Sequence, residues 1–100
     1  MIIKNCIGKN IYVTDADTLR GADLSEAYLA YADLYRVDLS GADLSGANLR
    51  GADLRGANLS GADLSDVDLS GANLDNVDLS DVDLSGATFY GYRLVEIECD

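Results

Sequence analysis

Apolar side chains recur in this chain on a strict period of five. Fifteen successive positions, Leu24 to Leu94 in steps of five, hold fourteen leucines and Phe89. The positions two residues before them, Ala22 to Tyr92, hold ten Ala, four Val and Tyr92. Between these two columns lies Asp nine times and Asn three times, and the residue after each leucine is mostly Ser or Arg. A helix of 3.6 residues per turn would smear a period of five around its circumference, and a long strand needs strict alternation. A short strand followed by a turn fits, because alternate residues of a strand share a face and the next two can turn a corner. The stacking of repeats, and no single segment, then builds the core. Leu24, Leu44, Leu54, Leu64 and Phe89 are its expected members.

Glycine supports the corner. Nine of the ten glycines stand two places after the leucine position, from Gly21 to Gly91. In a turn reading Leu-Ser-Gly-Ala that is the third residue, which in a type II turn has positive φ. Proline is absent, as expected where N–H groups pair between neighbouring coils. Val37, Val67, Val77 and Val82 each follow a non-glycine: Arg36, Asp66, Asn76 and Asp81. These corners are expected to adopt a second turn type without positive φ.

At the N-terminus the phase differs by one. Cys6, Ile11 and Ala16 are five apart, but Ala16 and Ala22 are six apart, which predicts a bulge near Asp17-Thr18. The phase of the repeats persists through Ile97 and Cys99.

Charge narrows the function classes. Eighteen acidic against seven basic residues give a net charge of −11, which disfavours nucleic acid or anionic lipid and favours basic partners. The N-terminus resembles no signal peptide and no apolar run approaches a membrane span, so a cytoplasmic protein is expected. With no His, a Cys/His zinc site is excluded. Cys6 and Cys99 are expected to be packed, reduced thiols. No nucleophile elbow or phosphate loop occurs, and the glycines are accounted for by corners. No catalytic, cofactor-binding or metal-ligating residue is therefore assigned, and no enzyme is expected.

The tandem units Ala-Asp-Leu-Ser-Gly, Ala-Asn-Leu-Arg-Gly and Val-Asp-Leu-Ser-Asp resemble the pentapeptide-repeat proteins. The resemblance implies an all-β fold, a right-handed quadrilateral parallel β-helix with four pentapeptides per coil. It would form a single domain over residues 1–100, with about four regular coils plus a degenerate N-terminal one. Residues 1–20 would be an irregular coil or cap, 21–94 the regular repeats and 95–100 the C-terminal end.

Four units per coil sort the outward residues onto four sides. One side stacks Asp23, Asp43, Asp63 and Asp83, with Glu26 and Asp66 beside it and no basic residue; this is the candidate interaction face. One carboxylate per coil is too few for the 6–8 oxygens Ca²⁺ takes. The opposite side mixes Asp33, Asp53, Asp75 and Glu96 with Arg36, Arg55 and Arg93. Tyr28, Tyr31 and Tyr35 form a candidate aromatic patch in the first regular coil, expected to pack on the N-terminal segment, with Tyr90 and Tyr92 at the other end.

These features point to a structural or protein-interaction module without an assigned role, a monomer or an end-to-end homodimer. Some pentapeptide-repeat proteins are acidic DNA mimics that bind DNA gyrase. The resemblance extends to charge, but this chain has fewer coils, Leu where those proteins favour Phe, and no inserted loop. A basic or DNA-binding protein is the partner this alternative implies.

Overall fold

The computed structural model describes residues 1–5, 7–13 and 18–89, with the side chains of Tyr12 and Val13 outside the description. From Leu19 onward the chain winds as a four-sided parallel coil. Asp23 pairs with Asp43, Asp43 with Asp63 and Asp63 with Asp83, all parallel and all twenty residues apart. The second side repeats this at Tyr28, Asn48, Asp68 and Thr88, the third at Asp33, Asp53 and Asn73, and the fourth at Asp38, Asn58 and Asp78. Twenty residues per coil is four units per coil.

The five N–H groups of one unit explain why the period holds. In the unit Ala42 to Gly46, Ala42 N–H closes the preceding corner on Leu39 C=O at 3.0 Å. Asp43 N–H reaches down to Ala22 C=O at 2.9 Å, and Leu44 N–H reaches up to Asp63 C=O at 2.8 Å. Gly46 N–H also points up, to Ser65 C=O at 2.9 Å. The remaining donor, Ser45 N–H, bonds to the Asp43 side chain through Oδ1 at 3.0 Å. No amide donor is left over, as burial demands. Asp or Asn before the leucine is thus a structural position, since its oxygen supplies the acceptor that the backbone lacks.

Corner geometry overturns the second turn type expected at the valines. Asp66, Asn76 and Asp81 have φ of 57°, 61° and 57°, and Arg36, Glu26 and Tyr31 match them at 60°, 58° and 61°. At Asp66 the corner N–H points along the stack to Ser85 C=O at 2.8 Å, as Gly46 N–H does to Ser65 C=O at 2.9 Å, so the corner keeps its positive φ whether or not glycine occupies it. Valine is accommodated with the turn bond kept, at 3.1 Å for Val37 and 3.2 Å for Val67 and Val77 against 3.1 Å for Ala32 and 3.0 Å for Ala42.

Inside, the leucine ladder is fully buried from Leu19 to Leu69 and flanked by Ala42, Ala47, Ala52, Ala57 and Ala62. Leu24, Leu44, Leu54 and Leu64 sit in it as expected. Phe89 does not. It is 50 % exposed, because it occupies the last described level above Leu69 and no further described coil covers it. Leu79, in the same upper region, is 37 % exposed.

The N-terminal segment also departs from the sequence reading. Strands β1 (Ile2–Lys4) and β2 (Asn10–Val13) form an antiparallel hairpin instead of a degenerate coil. Its tip is tied by Asn5, whose Oδ1 accepts from Ile7 and Lys9 N–H at 3.1 and 2.9 Å. The hairpin takes the place of a lower coil under the third side: Asp33 N–H donates to Lys4 C=O at 2.7 Å, Asn5 pairs antiparallel with Ala32, and Ile3 joins the leucine core. Of Cys6, Ile11 and Ala16 only Ile11 is among the described residues, and it packs against the core from within the hairpin. The step at Asp17, both cysteines, and Tyr90, Tyr92, Arg93 and Glu96 lie outside the described residues.

Candidate interaction surfaces

The acidic side forms as the twenty-residue register requires. Asp23, Asp43, Asp63 and Asp83 are successive rungs of one column. Glu26 and Asp66 belong to the adjoining corner column, where they alternate with Gly46 and Gly86. The Glu26 side chain packs against Gly46 and that of Asp66 against Gly86, so both lean up the stack.

Each aspartate of the column accepts from the serine two residues on. Asp23 Oδ1 takes both the N–H and the hydroxyl of Ser25, at 3.1 and 2.7 Å. Asp83 does the same with Ser85 at 3.0 and 2.8 Å. These bonds favour the ionised form, and they hold the Asp23, Asp38, Asp68 and Asp78 carboxyls below the ordinary value, the serine hydroxyl contributing most. For Asp83 the Ser85 backbone N–H contributes most. The carboxylates therefore have a structural duty, and among the described residues no three of them gather as metal ligands.

Charge is sorted along the stack as well as around it. Residues 56–89 contain seven aspartates and no Lys or Arg. All six basic residues outside the C-terminal segment, Lys4, Lys9, Arg20, Arg36, Arg50 and Arg55, precede that stretch. The side-only reading of the sequence missed this, although it is visible in the order of charges.

The three tyrosines do not make one patch. Tyr28 lies at the middle of the second side and is 64 % exposed, whereas Tyr35 lies on the corner after the third side and is 51 % exposed. Tyr31, on the corner between them, is half-buried with its ring over Gly51. Tyr28 and Tyr35 thus stand out from the wall, and Tyr31 packs up the stack, away from the N-terminal hairpin expected to receive it.

Tyr35 has a different company. The Arg55 guanidinium stands 5.0 Å from its ring centre and that of Arg36 stands 5.9 Å away, both within cation–π range. Arg55 is also held in a fork by Asp53, with Nε to Oδ1 and Nη2 to Oδ2 both 2.8 Å, and the pairing raises its pKa further. A recess of 320 Å³ opens here, lined by Tyr35, Arg36, Arg55, Gly56, Asp75 and Asn76. The signal in the sequence is the register itself, since residues 35, 55 and 75 share one corner column.

A four-sided parallel coil with an Ala/Val and Leu interior and Asx-tied corners defines a β-solenoid of five-residue units. The family model for pentapeptide repeats matches eight copies over residues 18–56 and 62–95, and the chain belongs to the pentapeptide-repeat proteins, which are right-handed quadrilateral β-helices. Among solved structures it is similar to HetL, a pentapeptide repeat protein involved in heterocyst differentiation regulation from the cyanobacterium Nostoc sp. strain PCC 7120. The identity is 38 % and the TM-score 0.58, over 72 % of this chain and 36 % of HetL. A pentapeptide repeat protein, Rfr23, from the cyanobacterium Cyanothece 51142 is 42 % identical over 69 % of this chain and 50 % of its own, with a TM-score of 0.44. One from the Arabidopsis thaliana thylakoid lumen is 38 % identical over 73 % of this chain and 57 % of its own, with a TM-score of 0.38. The chain thus spans between about a third and three fifths of the length of these structures. No curated protein sequence matches it.

Proposed function

We propose that the chain is a non-catalytic protein-interaction module that works by presenting side chains on flat, rigid walls. The observation that carries this reading is the pairing of every N–H in the repeat unit, which leaves the outward side chains as the chief means of recognition. Rigidity at the walls lowers the ordering cost of binding, and binding then depends on which side chains each wall displays. HetL, described as involved in heterocyst differentiation regulation, is consistent with such a role. The test is binding to a protein partner by wall variants that keep the fold. Abolition by outward substitutions such as Tyr28→Ala, with an unchanged circular dichroism spectrum, is the expected result.

A second reading, an acidic mimic of DNA that binds gyrase or another DNA-binding protein, is favoured by the density of charge. Residues 22–81 make three coils with a mean net charge of −3 per coil. B-DNA carries about −2.8 over the same ~4.8 Å of axis. The distribution is uneven, since residues 42–61 are neutral and residues 62–81 carry −6, so such a partner would engage the upper coils. A gyrase supercoiling assay decides: inhibition at micromolar protein that disappears when Asp23, Asp43, Asp63 and Asp83 become Asn supports the mimic, and no inhibition removes it.

A further inference from the structure

The recess at the third corner gathers two arginines, a tyrosine and two acceptor side chains at one place on the stack. It is lined in part by Gly56, with the Arg36 side chain laid over that glycine from the coil below and Asn76 on the coil above. Along the stack it spans two coil spacings, roughly 10 Å, which is the width of one residue with its side chain. Its size lies at the lower end of ligand-sized pockets, about 300 to 1,000 Å³.

Its chemistry is threefold. Arg36 forms no ion pair among the described residues, so its fork of donors is open to an anion, for which a carboxylate is the planar match. Tyr35, 51 % exposed, offers the part of its ring that the two guanidinium groups leave open. Asp75 and Asn76 add acceptors on the opposite wall. An anion donor site, an apolar face and an N–H acceptor within one residue's width correspond to the three parts of a peptide's last residue: its α-carboxylate, its side chain and its amide N–H. An acidic side chain within a chain would use only the first. A polyanion such as nucleic acid or a phosphorylated chain is disfavoured, because the body around the recess is strongly negative and Asp53 already engages Arg55.

We propose that this recess is a docking site for the free C-terminus of a partner polypeptide, with Arg36 binding the α-carboxylate, Tyr35 the terminal side chain, and Asp75 and Asn76 the terminal amide. It rests on the proposed role as an interaction module and narrows it to one site and one kind of partner.

The experiment titrates ¹⁵N-labelled protein with N-acetylated tetrapeptides ending in Leu, Phe or Lys, each made as the free acid and as the C-terminal amide. Free acids are expected to shift the amides of residues 35–36, 55–56 and 75–76. The amidated peptides, and the Arg36→Gln protein with either form, are expected to bind about tenfold more weakly or worse, the loss of a charge-assisted fork. Arg36→Lys should fall between, because it keeps the charge and loses the fork. Equal binding of acid and amide, equal binding by Arg36→Gln, shifts confined to another wall, or no shift at millimolar peptide would each overturn the proposal. Unchanged amides at the first side in Arg36→Gln confirm that the variant is folded. Should the recess fail while substitutions on another wall still abolish partner binding, the interaction-module reading stands and only this site falls.

Discussion

Tyr31 lays its ring across Gly51, the residue twenty places on at the same corner, so that a β-carbon added at Gly51 would collide with the ring. The same pairing recurs where Glu26 meets Gly46, Arg36 meets Gly56 and Asp66 meets Gly86. Among the described corners no non-glycine stands directly above another. A corner side chain needs room over the next coil, and glycine leaves it.

Gly51→Ala should therefore be worse than Gly61→Ala, although both residues have positive φ, 66° and 70°. At Gly61 the nearest atom to an added β-carbon is Gly41 N at 4.0 Å, so only the backbone cost of about 1–2 kcal/mol applies. At Gly51 the Tyr31 ring must also move, adding on the order of 1 kcal/mol. Urea unfolding measures both, and Tyr31→Ala should erase the difference between them. A difference that survives Tyr31→Ala would refute the packing account.

Replacing Asp63 separates charge from hydrogen bonding. Asp63→Asn keeps Oδ1 and should leave stability nearly unchanged, whereas Asp63→Ala removes the acceptor for both the N–H and the hydroxyl of Ser65, bonded at 2.9 and 2.6 Å. The alanine variant should lose about 0.5–1.5 kcal/mol. Equal stabilities for the two would mean that the Asx bond contributes nothing.

Much of this arrangement is legible in the sequence, because period five, small residues and corner glycines each encode a backbone requirement of the unit. The column of Asp23, Asp43, Asp63 and Asp83 followed once four units per coil were assumed. Legibility failed where physics other than the repeat decides. At Asp66, Asn76 and Asp81 the lack of glycine argued against positive φ, yet φ is positive at all three, since Asp and Asn tolerate the left-handed region better than other side chains do. At the N-terminus Cys6, Ile11 and Ala16 kept the period while Ile2–Val13 formed a hairpin, since period says nothing about which strand pairs with which. Leu19, with Thr18 Oγ1 accepting from Arg20 N–H at 3.2 Å, was in frame with Gly21 and shows that the regular coil begins one unit before Ala22. The Tyr35 recess is not legible locally, because three residues twenty apart carry no local signal.

The leucine ladder should respond to position. Leu54, fully buried, should lose about 2–5 kcal/mol as Leu54→Ala, and Leu54→Lys should unfold the coil. Leu79, already partly in water, should cost well under half as much as alanine. Thermal or urea unfolding of the two alanine variants tests the gradient, and equal losses would show that the upper coils are as well covered as the middle ones.

Acid should destabilise the fold. Unfolded aspartates protonate near pH ~3.9, while Asp23, Asp38, Asp68, Asp78 and Asp83 protonate at lower pH in the folded chain. The folded state thus binds fewer protons in that window. The stability from these groups is complete above the unfolded value and is lost as pH falls through the folded values. Repulsion between stacked carboxylates would act the other way and favour acid. Melting temperature followed from pH 6 to pH 2 should be level and then fall below about pH 4; a rise would show that repulsion outweighs the serine bonds.

Twelve positions from Asp23 to Asp83 present a side-chain Oδ1 to the N–H two residues on, and the fold makes the same use of it in nine Asp and three Asn. The two residues differ there by a charge and offer the backbone the same acceptor. The walls therefore act as a two-letter script written on a fixed page, in which evolution or an engineer can rewrite the electrostatic message without touching the architecture that displays it.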